Sequence, residues 1–265
     1  MREDWTGTLR VAEDAAREAG EIVMRGFRSD GEVSRKGTFD LVTEFDFASE
    51  RLIRDRLQAA FPEHRIVGEE QEATGQGELV WYVDPIDGTV NFAHGHPYFA
   101  VSIGLFRGAE PLVGVVHAPR LEQTWTASRG GGAFCNGAPC RVSRRASLEE
   151  ALCTTGFPQN VALSNDTNEA ELGAFLRSAR GVRRCGSAAL DLVFVADGTY
   201  DLYWERRLSA WDIAGGAVVV SEAGGQLSDY RGAEFDPREG ELIASNGLLH
   251  ASAIKTIEQA RGALR

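Results

Sequence analysis

Residues 81–92 read WYVDPIDGTVNF, an apolar run that ends in two aspartates with a proline between them and Gly-Thr behind. The simplest account is a buried strand closing in a tight surface turn, since Asp, Pro and Gly are the residues such turns use. A second account rests on parity. Asp84 and Asp87 are three apart, and an odd spacing sends side chains to opposite faces of a regular strand. They converge only if the chain turns between them, and Pro85, with its fixed φ and missing N–H, suits such a turn. The Ile86 carbonyl then points inward with both carboxylates, and these oxygens supply part of the shell of a hard cation.

Working outward, LVWYVD, AVSIGLF, LVGVVHA and TWTAS are short, rich in branched and aromatic residues, and joined by connections too short for helices. They predict a largely antiparallel sheet over residues 79–127, with RGGGAFCNG as a glycine-rich turn region after it. Upstream, apolar residues recur at helical intervals from about Glu3 to Phe27 and from about Thr43 to Phe61. The second half alternates. ALCTTG, GVRRCG, YDLYWE and LIASN read as strands, while TNEAELGAFLRSAR, SAALDLVFVADG, WDIAGGAVVVSEAGG and LLHASAIKTIEQA read as helices. The expectation is an α+β fold of helices layered on sheets, with halves 1–145 and 146–265 sharing extensive contacts as one unit.

A formal net charge of -11 over 265 residues argues against nonspecific attraction to nucleic acid or anionic membrane. The opening residues lack the apolar core of a signal peptide, and no uninterrupted apolar span approaches the ~20 residues of a transmembrane helix. A cytoplasmic protein is expected. The four cysteines are too few and scattered for a disulfide framework, and Cys135 and Cys140 in CNGAPC lack the other two ligands of a structural zinc.

Further acids end apolar elements: Glu69 and Glu70 in RIVGEE, Asp212 in SAWDIAGG, Asp46 in LVTEFD. Two bare carboxylates about 4 Å apart repel by roughly 4 kcal/mol at an effective dielectric near 20; a divalent ion turns that repulsion into binding energy. Gly88-Thr89 adds backbone donors suited to an anion such as phosphate, and a hydroxyl. Cation ligands and anion donors within six residues are what metal-assisted phosphate chemistry requires.

DPIDGTVNF (84–92), GEE (68–70) and WDIAGG (211–216), in order with DLVTEFD, GAFCNG, GSAALDL and SEAGG, resemble the signature segments of the inositol monophosphatase family, magnesium-dependent and lithium-sensitive phosphatases. The resemblance implies the αβαβα sandwich of the inositol monophosphatase and fructose-1,6-bisphosphatase type. It makes Glu69, Asp84 and the Ile86 carbonyl ligands of a first Mg2+, and Asp84, Asp87 and Asp212 ligands of a second. Glu69 would reach a third, weaker ion through water. Gly88 and Thr89 would present N–H groups to the phosphate; Asp46 would pair with the Thr89 hydroxyl and, with Glu69, orient and deprotonate the attacking water. Asp87, the Ala188 N–H and Glu205 would meet the alcohol, with Lys36 over the site. Glu205 also admits a reading as a solvated acid beside Arg206 and Arg207.

The implied activity is hydrolysis of inositol 1-phosphate and similar polyol phosphates by a homodimer. Same-fold alternatives are histidinol phosphate, fructose 1,6-bisphosphate, a nucleotide 3′-phosphate or NADP; an alternative of another class is a noncatalytic regulatory binding protein. Val90 departs from the pattern, standing where many relatives carry a second threonine or similar small residue. His94 and His96 read as structural or surface residues, and Trp81 and Trp211 as packing beneath their neighbouring aspartates.

Overall fold

The computed structural model describes residues 3–29, 33–35, 41–157 and 167–262. Lys36 lies outside these. In chain order the elements are α1 (Thr6–Gly26), β1 (Val33–Arg35), β2 (Leu41–Thr43), α2 (Glu44–Ala60), β3 (Arg65–Gly68), β4 (Leu79–Asp87), α3 (Thr89–Ala93), β5 (Ala100–Arg107), β6 (Glu110–Ala118), β7 (Gln123–Ser128), β8 (Gly132–Cys135) and β9 (Ala138–Pro139). There follow β10 (Leu152–Thr155), α4 (Glu169–Ser178), β11 (Gly181–Arg183), α5 (Ala188–Ala196), β12 (Leu202–Arg206), α6 (Ala210–Glu222), β13 (Gln226–Ser228), β14 (Glu241–Ser245) and α7 (His250–Gly262).

Strands β3 to β9 pair in chain order as one sheet, antiparallel throughout except for the parallel pair β3–β4. A five-stranded sheet has the order β11-β10-β12-β14-β13, and β1 and β2 form a separate antiparallel pair. Period-two alternation divides the larger sheet between two cores. Trp81, Val83, Val101, Ile103, Leu105, Val113 and Val115 pack against the alanine-lined face of α1 and against Ile53 and Leu57 of α2. Tyr82, Phe106, Val116, Trp125 and Ala127 face the other way, onto α5 and α6, whose far side meets Tyr203, Leu242 and Ala244 of the smaller sheet. A third core joins that sheet to α4 and α7 through Phe175, Trp204, Ile243 and Ile257. The result is the expected five-layer αβαβα order.

Two expectations need correction. The stretch RGGGAFCNG is not only a turn, because β8 and β9 continue the sheet beyond β7. Trp81 does not underlie Asp84. Three residues before it, Trp81 points to the opposite face, where its indole N–H donates to His64 Nδ1 at 3.0 Å and its ring lies against Phe61.

Candidate active site

The opening segment is neither a surface turn nor a break in the sheet. Asp84 pairs with Ser102 and Asp87 with Ala100, so β4 gains one residue on β5 between them. That inserted residue is a β-bulge, and it reverses the parity that would otherwise separate the two aspartates. Pro85 is tolerated there because a bulge needs no ladder N–H. Asp84 is 1% exposed and accepts the Ile86 N–H at 3.0 Å, while the Ile86 carbonyl accepts from the Thr89 hydroxyl at 2.9 Å.

Strand register brings Glu69 to this bulge. Gly68 pairs with Val83, and the Glu69 N–H donates to the Val83 carbonyl at 3.2 Å, which sets Glu69 alongside Asp84. Asp212 arrives from the opposite layer. α6 presses onto β5 and β6 so closely that a Cβ at Gly104 would lie 2.6 Å from Ala214, and one at Gly114 2.4 Å from the Gly215 carbonyl. Ser102, the partner of Asp84, meets the Trp211 carbonyl at 3.5 Å. Asp212 follows directly, in the first turn of α6, accepting the Ser209 N–H at 2.7 Å.

Asp46 occupies the equivalent place in α2. It receives the Thr43 N–H at 2.7 Å and the Thr43 hydroxyl on one oxygen, leaving the other 3.4 Å from the Thr89 hydroxyl. Asp87 is held by the start of α5, through the Ser187 hydroxyl, the Ala189 N–H at 2.7 Å and the Ala188 N–H at 3.3 Å. The Ala188 donor is therefore engaged by Asp87. Gly88 sits at φ 92°, and a Cβ there would meet the Tyr98 and Gly186 carbonyls at 3.0 and 3.1 Å. Behind it α3 opens at Thr89, whose first-turn N–H groups have no acceptor inside the helix.

Glu205 is buried, at 9% exposure, and accepts the Tyr203 hydroxyl at 2.7 Å. This removes the reading as a solvated surface acid. Burial pushes its carboxyl up to about 7, against the opposing pull of the Tyr203 hydroxyl and Arg184.

Electrostatics registers the gathering of these groups. Burial, then the charges of Glu69, Asp87, Asp212 and Asp46, hold the Asp84 carboxyl well above the ordinary range. Asp212 is raised by burial and then by Asp87, with Glu69 and Glu205 adding to it. Burial lifts Asp87 to about 6 despite its donors from Ser187, Ala189 and Ala188. Among the described residues no group of three or more His, Cys, Asp or Glu side chains is arranged to hold a metal ion by itself. Magnesium usually keeps several waters and substrate oxygens in its shell, so side chains that do not close a site by themselves can hold it together with those. A desolvated, mutually repelling set of oxygen donors fits such a cation.

A family model described as "Inositol monophosphatase family" matches residues 4–261. The chain belongs to the inositol monophosphatase family. It is 43% identical over 258 residues to "Inositol monophosphatase 3" of Solanum lycopersicum, covering 95% of this chain and 96% of that one. Identity is also 43% over 258 residues to "Nus factor SuhB" of Pseudomonas aeruginosa, covering 94% and 95%. The solved inositol monophosphatase from Anabaena (Nostoc) sp. PCC 7120 superimposes with a TM-score of 0.89 at 35% identity, over 97% of each chain.

Sequence reading of this family member missed Ser187, Asn91 and Asp191. Asn91 of α3 donates to the Tyr98 and Cys185 carbonyls at 2.7 and 2.8 Å, tying the Gly88 turn to the segment before α5. Asp191, buried one turn into α5, accepts the Tyr98 hydroxyl at 2.8 Å. Only SAALD, a serine ahead of an apolar helical run, carried a signal, as an N-cap. His94 and His96 are exposed, and so are Arg183 and Arg184. A separate cavity of about 410 Å³ is lined by Glu78, Tyr82, Arg107 and Arg238 among others; Arg107 is already paired with Glu3, and Arg238 with Asp236. No helix among the described residues is long and apolar enough to cross a membrane.

Proposed function

We propose that this protein hydrolyses phosphate monoesters with Mg2+, inositol 1-phosphate foremost. The observation that carries the reading is the β-bulge that turns Asp84 and Asp87 to one side, with Glu69 set beside Asp84 by strand register and Asp212 facing them from the first turn of α6. The relatives named inositol monophosphatase support the substrate. Glu69, Asp84, the Ile86 carbonyl, Asp87 and Asp212 would hold two Mg2+ ions, with a third reached by Glu69 through water. Bound ions neutralise phosphoryl charge, stabilise the leaving alkoxide and lower the pKa of a water.

The chain's own groups do the rest. Gly88 and Thr89 N–H groups receive phosphate oxygens, as helix starts do. The Thr89 hydroxyl has one proton, shared between the Ile86 carbonyl and Asp46. Engaging that carbonyl elsewhere leaves the proton to Asp46, and the Thr89 oxygen is then free to accept from the attacking water. As the water gives its proton to the Thr89 oxygen, Thr89 passes its own to Asp46, while Glu69 accepts the water's other hydrogen and orients it. Asp87 and Glu205 accept hydrogen bonds from sugar-like hydroxyls on the leaving side, with the Ala188 N–H beside them.

The presence of Glu69, Asp84, Asp87, Thr89 and Asp212 speaks against a noncatalytic regulatory binding protein. Lithium sensitivity, a homodimer and a cytoplasmic place of action belong to the same proposal on family resemblance; lithium titration, sedimentation and cell fractionation test them. The central test is phosphate release from a panel of inositol 1-phosphate, histidinol phosphate, fructose 1,6-bisphosphate, a nucleotide 3′-phosphate and NADP. Inositol 1-phosphate gives the highest kcat/KM, chelation of divalent ions abolishes turnover, and Asp84→Asn lowers it by at least ~100-fold with circular dichroism unchanged. Normal turnover by that variant sinks the metal chemistry, and a preference for another ester sinks the substrate.

A further inference from the structure

We propose that Glu50 is a positioning residue for the metal-binding acids, acting through the turn that carries Glu69; this rests on reading Glu69 as a metal ligand. Glu50 lies on α2 and is fully buried, 0% exposed. A buried carboxylate survives only with its oxygens satisfied, and here the partners are the turn after β3 and Arg54, one turn on in the same helix. Glu50 Oε2 accepts the Glu70 N–H at 2.7 Å, and Oε1 accepts the Gln71 N–H at 3.1 Å and Arg54 Nε at 2.7 Å. Arg54 closes the clamp, donating to the Gln71 carbonyl at 3.0 Å and the Thr74 hydroxyl at 3.3 Å.

This clamp grips the backbone just beyond Glu69, whose own N–H is fixed to Val83 on the other side. Glu69 is thus held between the end of β3 and a buried ion pair. Gly68 makes the approach possible, since a Cβ there would stand 2.4 Å from Glu50 Oε1. Four residues before Glu50, Asp46 stands in the first turn of the same helix and touches Thr89. One helix therefore sets both acids assigned to the attacking water, Asp46 directly and Glu69 by way of Glu50.

The test measures Mn2+ and Mg2+ affinity apart from turnover, by calorimetry and by the metal-dependent rise in melting temperature. Glu50→Gln removes the charge and one acceptor; Glu50→Asp keeps the charge but withdraws it by one methylene. Both weaken metal binding by ~10- to 100-fold, the range for outer partners of metal ligands, while KM for the ester at saturating metal changes less than about twofold. Wild-type metal affinity in a folded Glu50→Gln overturns the proposal, because a merely structural anchor lowers the metal-free melting temperature alone. Weakening in Glu50→Gln but not in Glu50→Asp also overturns it, in favour of simple charge. Should neither fold, Arg54→Lys, which leaves Glu50 in place, carries the test: affinity falls ~3- to 10-fold or the proposal fails. A wild type that binds neither ion sinks the reading of the acids themselves, a separate outcome.

Discussion

At the residue scale, burial gives titratable groups opposite effects on stability. Glu205 is raised from 4.5 to about 7 by burial, so its stabilising contribution is complete below pH 4.5 and is lost as pH rises through about 7. His117, beneath α1 and bonded to the Thr124 hydroxyl at 2.9 Å, is lowered to about 4 by burial and by Arg17. Its contribution is present above pH 6.5 and is lost as pH falls through about 4. Metal-free Glu205→Gln is therefore more stable than wild type at pH 8 by up to about 3 kcal/mol, with the gap closing toward pH 4.5. Urea unfolding across that range reads the difference; a constant gap refutes it. Glu205 stood out in the sequence through the motif around it, whereas its burial did not, because Tyr203 and the layers that cover it are set by tertiary packing.

At the element scale, the site uses helix starts. Asp46 and Asp212 stand in the first turns of α2 and α6, and Asp87 is held by the first N–H groups of α5. A helix N-terminus favours a negative charge, which offsets part of the repulsion among acids drawn together out of water. The bulge performs the matching task in β4. Its position was implicit in the odd spacing of Asp84 and Asp87, although a departure from the strand was expected rather than an extra residue within it. Strand β3 was hidden in RIVG, four residues that become a strand only by pairing beside β4. For α6, the close approach to β5 decides where Asp212 lies. Gly104→Ala places a methyl against the backbone of Ala214 and Gly215, which cannot swing aside. Stability falls by about 1–3 kcal/mol, and turnover at saturating Mg2+ falls by up to ~100-fold as Asp212 is displaced. Urea unfolding and phosphate release measure the two effects; a destabilised variant with full turnover shows that α6 does not set the acid.

At the scale of the whole molecule, the site lies where the halves meet. Ligand candidates Glu69, Asp84 and Asp87 come from before residue 145, and Asp212, with the substrate-side Glu205, from after it. The layer between the sheets belongs to the second half, yet it supplies α5 and α6 to the core of the first. Polar bonds cross as well: Trp125 donates to Asp197 at 3.2 Å, Asn91 to Cys185, and the Gly130 and Gly132 N–H groups to Glu222 at 2.9 and 3.0 Å. Alternating strands and helices announced the layers, but a boundary near 145 says nothing about which half covers which sheet. We propose that 1–145 and 146–265 are one folding unit. Separated, the first would expose Tyr82, Phe106, Val116 and Trp125, and the second the opposite faces of α5 and α6; burying a side chain of that size is worth about 1.5–3 kcal/mol. A typical domain has only ~5–15 kcal/mol of net stability. Neither fragment folds alone, and the intact metal-free chain unfolds in one transition, with tryptophan fluorescence and circular dichroism coinciding. A soluble fragment with protected amides, or two resolved transitions, would show that each half closes its own core and that the acids meet across an interface between domains.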